Sequence, residues 1–329
     1  MKSLVKLVSA FAAAVPAILL VASTPLPAGA QAFPTKPVRV VISFPAGSAT
    51  DVIGRVVTQK LSDIWGHSVV ADNRGGAGGS IGANVVAKAT PDGYTLLINS
   101  SAHTVNPSLY AHLPYDTLKD FVEVAPLAAT PNVLVVNPSS PIKTLAEFIA
   151  EAKAKPGQIN FASAGVGSGT HLNLEKFKLM AHIDVTHVPY KGTPEVVTDI
   201  IGGRVGAYFA PVSATLAFIQ SGKLRAIAVS SIKRSSQLPN VPTMAESGVP
   251  GFDFALWFGM WAPARTPSAI VDKISSDTAR ALASPDVRDQ LGKLSMDAMN
   301  MTRKEFSAYV RKEIEDNAKI MRAAGIKPQ

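Results

Sequence analysis

The chain has 329 residues, a formal net charge of +8 and no cysteine. The lack of cysteine excludes disulfide bonds, cysteine-bound metal ions and the lipid anchor of bacterial lipoproteins. The basic residues are scattered, without runs or interleaved aromatic residues, which argues against a nucleic-acid-binding protein. A mild positive excess suits an anionic substrate, although solubility explains it equally well.

The N-terminal segment has the order of charge, apolar run and small residues that is typical of a secretory signal peptide. Lys2 and Lys6 precede an almost wholly apolar stretch over residues 7–21. Cleavage after Ala30 and cleavage after Ala32 fit the small-residue pattern equally well. The alternative is a membrane anchor, but the apolar stretch is short for a span of about 20 residues. We predict an exported protein with a signal peptide over residues 1–32 and a mature part of about two domains.

The first half of the mature part alternates strand-length apolar runs with helical patterns. Strands are predicted over residues 38–44, 69–72 and 96–99, and helices over 51–65 and 81–89. The apolar runs are continuous rather than alternating, which indicates parallel strands buried on both faces. This half is therefore predicted to be a βαβαβ unit.

A second α/β unit follows a long β-prone stretch over residues 121–136, which Pro126 and Pro131 interrupt. Two such units, followed by a helical C-terminus, predict two lobes with a cleft between them. Ligands of such sheets bind beyond the carboxyl ends of the strands, where loops lead into helices. The predicted strands of the second unit are 160–163, 185–189, 205–210 and 224–230, and its helices are 144–155, 170–180, 194–201 and 213–219.

Two loops of small residues lie where a strand leads into a helix. The first N–H groups of a helix lack partners within it, and its dipole favours negative charge there. Two such loops facing each other would hold a carboxylate with neutral donors; the alternative is that both are only tight turns. A third segment, Lys191 to Thr193, is either a cleft contact or exposed surface. The candidate residues are Phe44, Ala46, Gly47, Ser48, Thr50 and Asp51 in the first loop, Ser163, Gly165, Gly167, Ser168, Thr170 and His171 in the second, and Gly192 and Thr193 in the third.

The sequence contains no recognisable motif for catalysis, a cofactor or a metal ion. The dinucleotide pattern G-x-G-x-x-G fails because Ile81 and Thr170 occupy its third glycine position. A nucleophile elbow would need serine where the second loop has Gly167. The histidines show no metal-binding spacing. His171 fits a ligand contact and a hydrogen bond at the helix end about equally well. Because none of these motifs is present, we predict a non-enzymatic protein without cofactor or metal.

Short motifs spread along the mature part occur together, and in this order, in one family. They lie at residues 34–39, 72–79, 91–97, 113–116, 187–192, 222–226, 238–243, 257–259 and 262–264. They resemble those of the Bug family, the periplasmic substrate-binding components of tripartite tricarboxylate transporters. The resemblance implies an α/β, two-lobed type II periplasmic-binding-protein fold with a ligand cleft between the lobes. It also implies that the two loops hold a ligand carboxylate.

The same resemblance implies lobe boundaries and partners. Lobe I is expected to be discontinuous, over residues 33–130 and 233–329, and lobe II to span residues 131–232. The expected protein is a periplasmic monomer that binds a small organic carboxylate, works with integral membrane transporter subunits and binds no nucleic acid.

Two positions depart from the family pattern. The first loop of the family commonly reads Phe-Pro-Pro-Gly-Gly, whereas this chain has Ala46, Gly47 and Ser48 after Pro45. The family often has aspartate at the position of Ala210, which we count as a further candidate ligand contact. Alanine there favours a less polar distal group on the ligand, as in an aromatic or short aliphatic mono- or dicarboxylate.

We therefore predict a receptor that captures a small organic carboxylate and delivers it to a membrane transporter. One alternative is a sensor that presents the carboxylate to a membrane histidine kinase. A less favoured alternative is a secreted hydrolase, which would need a nucleophile beside a base.

Overall fold

Strands and helices alternate through most of the chain, as the apolar pattern predicts. The computed structural model describes residues 33–323, 325, 326 and 328, so the predicted signal peptide and its cleavage sites lie outside the described residues. The strands are β1 (Val38–Ile42), β2 (Val69–Asn73), β3 (Thr95–Ser100), β4 (Phe121–Val136), β5 (Asn160–Ser163), β6 (Thr186–Pro189), β7 (Ala207–Pro211), β8 (Arg225–Val229), β9 (Ala255–Pro263) and β10 (Asp297–Ala298). The helices are α1 (Ala49–Trp65), α2 (Ser80–Ala87), α3 (Ala102–Leu109), α4 (Leu145–Ala154), α5 (Gly169–Ala181), α6 (Thr193–Ile201), α7 (Val212–Gln220), α8 (Ser268–Ala283), α9 (Pro285–Lys293) and α10 (Arg303–Ala323), and a 3-10 turn (Ala77–Gly79) precedes α2.

The strands form two sheets that share β4. In the first sheet, β1 pairs in parallel with β2 and β3, and β9 runs antiparallel between β3 and the first part of β4. In the second sheet, β5 pairs in parallel with β6 and β7, and the last residues of β4 run antiparallel between β7 and β8. The α/β class and the two-lobed fold are confirmed, and β4 passes from one sheet to the other.

Each face of the second sheet has its own apolar core. Leu134 and Phe209 are opposite each other in the β4–β7 register and pack on one face with α4 and α5. Val135 and Tyr208, the next opposite pair, pack on the other face with α6. The alternation follows from the two-residue side-chain period of a strand, and it determines which face each β4 residue paired with β7 occupies.

The prolines in the long β-prone stretch do not end the strand. Pro126 lies where the pairing of β4 with β9 shifts register, and Pro131 is paired with Ala255. Where the register is irregular, the neighbouring strand does not need the backbone N–H group that proline lacks. The strand therefore continues through the proline. Helix α3 was not predicted from the sequence because it is short and contains Pro107. It is held from outside, since Asn317 Nδ2 of α10 donates to Thr104 Oγ1 at 3.0 Å.

The described part of the chain contains no helix with both the length and the apolar character needed to cross a membrane.

Candidate functional site

Two strand-to-helix turns meet across a small closed cavity. The first turn, residues 43–48, joins β1 to α1, and the second turn, residues 164–168, joins β5 to α5. The cavity volume of about 20 Å³ is enough for about one water molecule. None of its twelve lining residues has an ionisable side chain. They are Phe44, Ser48, Ala49, Thr50, Ser100, Ala164, Ser168, Gly169, Thr170, Thr193, Pro211 and Leu256.

The chain segments on the two sides of this cavity touch each other. A Cβ atom placed on Gly192 would lie 2.9 Å from Cδ of Pro45 in the first turn. Tyr110 of the first sheet's side donates from its hydroxyl to the Val166 carbonyl oxygen in the second turn at 3.3 Å. The cleft between the lobes is therefore closed in this structure.

Asp51 shapes the first turn. Its buried carboxylate accepts from the Gly47 N–H at 2.9 Å and from Asn73 Nδ2 at 2.9 Å. The Arg55 guanidinium donates to the same carboxylate at 3.0 Å and balances its charge. Ser48 caps α1 by accepting from the Asp51 N–H at 3.3 Å. Asp51 thus holds the turn from behind and does not line the cavity.

Two stacked histidines support the second turn. The rings of His171 and His187 lie 4.0 Å apart and nearly parallel. Nδ1 of His171 accepts from the Gly167 N–H at 3.2 Å, which requires an unprotonated nitrogen. Burial, with smaller contributions from His187 and a nearby lysine, lowers the pKa of His171 to about 3. Burial also lowers the pKa of His187 to about 4, so both rings are neutral near pH 7.

Ser163 and His187 have the spacing of a nucleophile and its base, with 2.6 Å between Oγ and Nε2. Ser163 is fully buried, and its Oγ also accepts from the Gly165 N–H at 3.1 Å. Neither residue lines the cavity. This pair therefore supports the backbone of the second turn rather than presenting a reactive hydroxyl to the cleft.

The cavity is suited to hold an anionic group with backbone donors. Ala49 and Thr50 begin α1, and Gly169 and Thr170 begin α5. As the first residues of their helices, these four have N–H groups that no carbonyl oxygen inside the helix accepts. Helix N-termini carry a partial positive charge and bind carboxylates and phosphates. Two such ends converge here without a competing charged side chain in the lining.

Six of the predicted residues line the cavity: Phe44, Ser48, Thr50, Ser168, Thr170 and Thr193. Ala210 is fully buried on the opposite face of β7 from the lining residue Pro211. The other candidates lie in or behind the turns, namely Ala46, Gly47, Asp51, Ser163, Gly165, Gly167, His171 and Gly192.

Sequence reasoning missed several lining residues that come from other elements. Ser100 ends β3, the third parallel strand of the first sheet, and Leu256 lies at the start of β9. The position of Ser100 at the carboxyl end of a parallel strand was a usable signal. Leu256 gave none, because only the pairing of β9 with β4 brings it to the cleft. The missed residues from other elements are Ser100, Pro211 and Leu256, whereas Ala49, Ala164 and Gly169 lie in the two predicted loops without having been singled out.

Thr170 offers a test of the second turn. Its Oγ1 accepts from the Ala164 N–H at 2.9 Å and lies 2.9 Å from Ser168 Oγ. Thr170→Val keeps the shape but leaves the buried Ala164 N–H unpaired, so unfolding free energy should fall by about 1–3 kcal/mol. Urea unfolding of the ligand-free protein measures this loss. The matched control is Thr198→Val at an exposed helix position, where the change should stay within about 0.5 kcal/mol; equal losses would contradict the assigned role.

Within the described residues, no three histidine, aspartate or glutamate side chains are grouped so as to hold a metal ion. Two α/β lobes that close over a cleft lined by helix N-termini define a periplasmic solute-binding protein. The chain belongs to the tripartite tricarboxylate transporter family receptors, whose sequence pattern matches residues 53–326. The predicted Bug family membership is thereby confirmed, and the family is one of periplasmic solute-binding proteins rather than enzymes.

Relatives and solved structures agree with this assignment. Protein BugT of Bordetella pertussis is 38% identical over 303 residues, which are 92% of this chain and 93% of BugT. A Rhodopseudomonas palustris protein solved with adipate superposes with a TM-score of 0.87 at 34% identity, covering 90% of this chain and 100% of that one. MatC from the same organism, solved with bound malate, gives a TM-score of 0.83 at 31% identity, covering 88% of this chain and 99% of MatC.

Proposed function

We propose that this protein is a periplasmic receptor that captures a small organic carboxylate and passes it to the integral membrane subunits of a tripartite transporter. The observation that carries the proposal is the pair of helix N-termini at the cavity, where Ala49, Thr50, Gly169 and Thr170 begin α1 and α5. The adipate and malate bound to two relatives support the same ligand class. All fifteen candidate residues remain part of this proposal, six as lining residues and the others as supports of the turns or, for Ala210, as the packing behind β7.

The lobes are assigned to residues 33–130 with 233–329 and to residues 131–232. One feature of the fold supports the first boundary. β4 leaves the pairing with β9 at Pro131 and begins the pairing with β7 at Asn132. The second boundary falls in the connection between β8 and β9, where Met244, Val249 and Phe252 still pack in the core of the second sheet. Ligand release would then require hinge motion at these two connections.

The proposed ligands are mono- and dicarboxylates, aliphatic or aromatic. A cavity of about 20 Å³ is smaller than any of them, so the lobes must part to admit each one. The lobes have to move apart least for a short aliphatic acid, so short aliphatic acids are the first class to test. An aromatic acid would need the larger opening.

A thermal-shift panel tests the proposal on the mature protein. A ligand at a hundredfold excess over its dissociation constant stabilises the folded state by about 2.7 kcal/mol. We expect the melting temperature to rise with particular carboxylates and not with neutral sugars. Shifts with sugars alone would contradict the proposal, and so would the absence of any shift with mono-, di- and tricarboxylates at millimolar concentration.

A further inference from the structure

Three buried polar side chains beside the cavity have side-chain oxygen or nitrogen atoms without a hydrogen-bond partner. Asn132 and Asn173 are fully buried, and Ser101 is 2% exposed. Within the described chain, neither the amide oxygen nor the amide nitrogen of either asparagine has a partner, and neither has the hydroxyl of Ser101. Buried polar groups in folded proteins are nearly always paired, so unpaired ones near a binding cleft point to a missing partner.

Asn132 is placed by the β4–β7 register. It lies directly opposite Pro211, a cavity-lining residue, and it shares the face of Leu134 and Phe209. It therefore faces the side of the second sheet on which α5 packs. This is the side opposite Ala210, which packs with Val133.

Asn173 and Ser101 approach the same end of the cavity from two other elements. Asn173 lies one helical turn after the lining residue Gly169, and Phe177, one turn further, packs against Leu134 and Phe209. Ser101 Oγ lies 2.7 Å from the point where a Cβ atom on Gly169 would be, and Leu256 Cδ1 lies 2.4 Å from that point. The three side chains thus lie next to the lining residues Gly169 and Pro211, behind the wall of the cavity.

We infer that Asn132, Asn173 and Ser101 form a second recognition site for a polar group of the ligand next to the carboxylate held at the helix N-termini. This inference rests on the proposed function, because the carboxylate bound at the helix ends determines which part of the ligand reaches the amides. The three side chains confer specificity for a neutral group that both donates and accepts hydrogen bonds, a hydroxyl or a carboxamide.

The chemistry of the amides discriminates between ligand classes. Each asparagine has an acceptor oxygen and a donor NH₂ group. A ligand hydroxyl can donate to one amide oxygen and accept from the other amide nitrogen. A second carboxylate only accepts, so it leaves both amide oxygens unpaired, and an alkyl or phenyl end leaves every group unpaired. The site therefore favours a short hydroxy- or carbamoyl-carboxylic acid over a dicarboxylate or an unsubstituted acid.

Isothermal titration calorimetry with acids of equal chain length tests this preference. One set is butanoate, its 2-, 3- and 4-hydroxy derivatives, succinamate and succinate, with the corresponding five-carbon set beside it. We expect at least one hydroxy or carbamoyl acid to bind at least about 30-fold more tightly than the unsubstituted acid and the dicarboxylate of its length. Tighter binding of an unsubstituted acid or a dicarboxylate would overturn this inference and leave the proposed function standing. Failure of this whole set to bind would overturn this inference, and the absence of any shift in the wider thermal-shift panel would overturn the proposed function itself.

Variants connect the preference to these side chains. In Asn132→Leu and Asn173→Leu the preference, measured as the ratio of the two dissociation constants, should fall to within about threefold. The control is Asn160→Leu at an exposed position, which should keep the full preference. Ser101→Ala is a smaller change that serves if a leucine variant fails to fold. A preference retained in every folded variant would show that the unpaired amides only hold buried water and would overturn the inference.

Discussion

Replacing Gly78 by alanine should weaken ligand binding by about 30- to 100-fold without unfolding the protein, because only the closed cleft excludes the new methyl group. Gly78 lies in the 3-10 turn before α2, and a Cβ atom there would be 2.4 Å from the Val166 carbonyl oxygen in the second turn. Real Cβ atoms do not approach a carbonyl oxygen so closely, so the two sides must separate. When the binding-competent state is less populated, the apparent dissociation constant rises in proportion.

The control variant must place alanine at a similar positive φ, but without a contact between the added methyl group and another residue. Gly78 has a φ of 58°, and alanine is disfavoured there even without neighbours. Gly203 has a φ of 71°, and nothing lies within 4 Å of its added Cβ. Gly203→Ala should lower stability by a similar amount and leave affinity unchanged. Calorimetric titration of both variants with the acid that binds best measures the difference, and equal affinities would show that closure at Val166 does not contribute to binding.

Replacing His103 by leucine should stabilise the protein at neutral pH and make its stability less dependent on pH. His103 is fully buried, and among the described residues neither of its ring nitrogens has a hydrogen-bond partner. Its ring packs against Phe121 and Trp261 at centroid distances of 4.8 and 4.7 Å. Removing two unpaired buried nitrogens should raise the unfolding free energy at pH 7 by about 1–3 kcal/mol.

The pH dependence follows from the pKa of His103, which burial lowers from 6.5 to about 3. Between these two values the unfolded chain binds a proton that the folded chain does not. Stability is therefore greatest above about pH 6.5 and falls by about 1.4 kcal/mol per pH unit for this residue as the pH is lowered. His103→Leu should reduce the slope between pH 6 and pH 4 by about that amount.

Urea unfolding at several pH values measures the slope. The control is Thr198→Val, a change at an exposed position without an ionisable group, which should keep the wild-type slope. His171 adds a slope of the same sign, because burial lowers its pKa as well. An unchanged slope in His103→Leu would mean that this histidine is protonated in the folded state, contrary to its apolar surroundings.

The order of the elements could be predicted well from the sequence. Continuous apolar runs such as Val38–Ile42, followed by a cap residue such as Ser48, specify a buried parallel strand and the start of the next helix. The same local chemistry predicted both turns of the site. Small residues just before a helix leave its first N–H groups accessible, and this does not depend on the rest of the fold. Helix α3 was missed because its contact with Asn317 of α10 offsets the unfavourable Pro107.

The sequence by itself determined the fold class, the two donor turns and the absence of cysteine chemistry, because these depend on residue type and on contacts between near neighbours in the chain. Only the tertiary structure decided which residues enclose the cavity. Leu256 reaches it through the pairing of β9 with β4, and the pairing of β7 with β4 places Asn132 opposite the lining residue Pro211. Those placements depend on strand register between distant segments, where a shift of one residue would turn Asn132 to the opposite face. Local sequence patterns do not specify such a register, and the preference for one ligand over another depends on it.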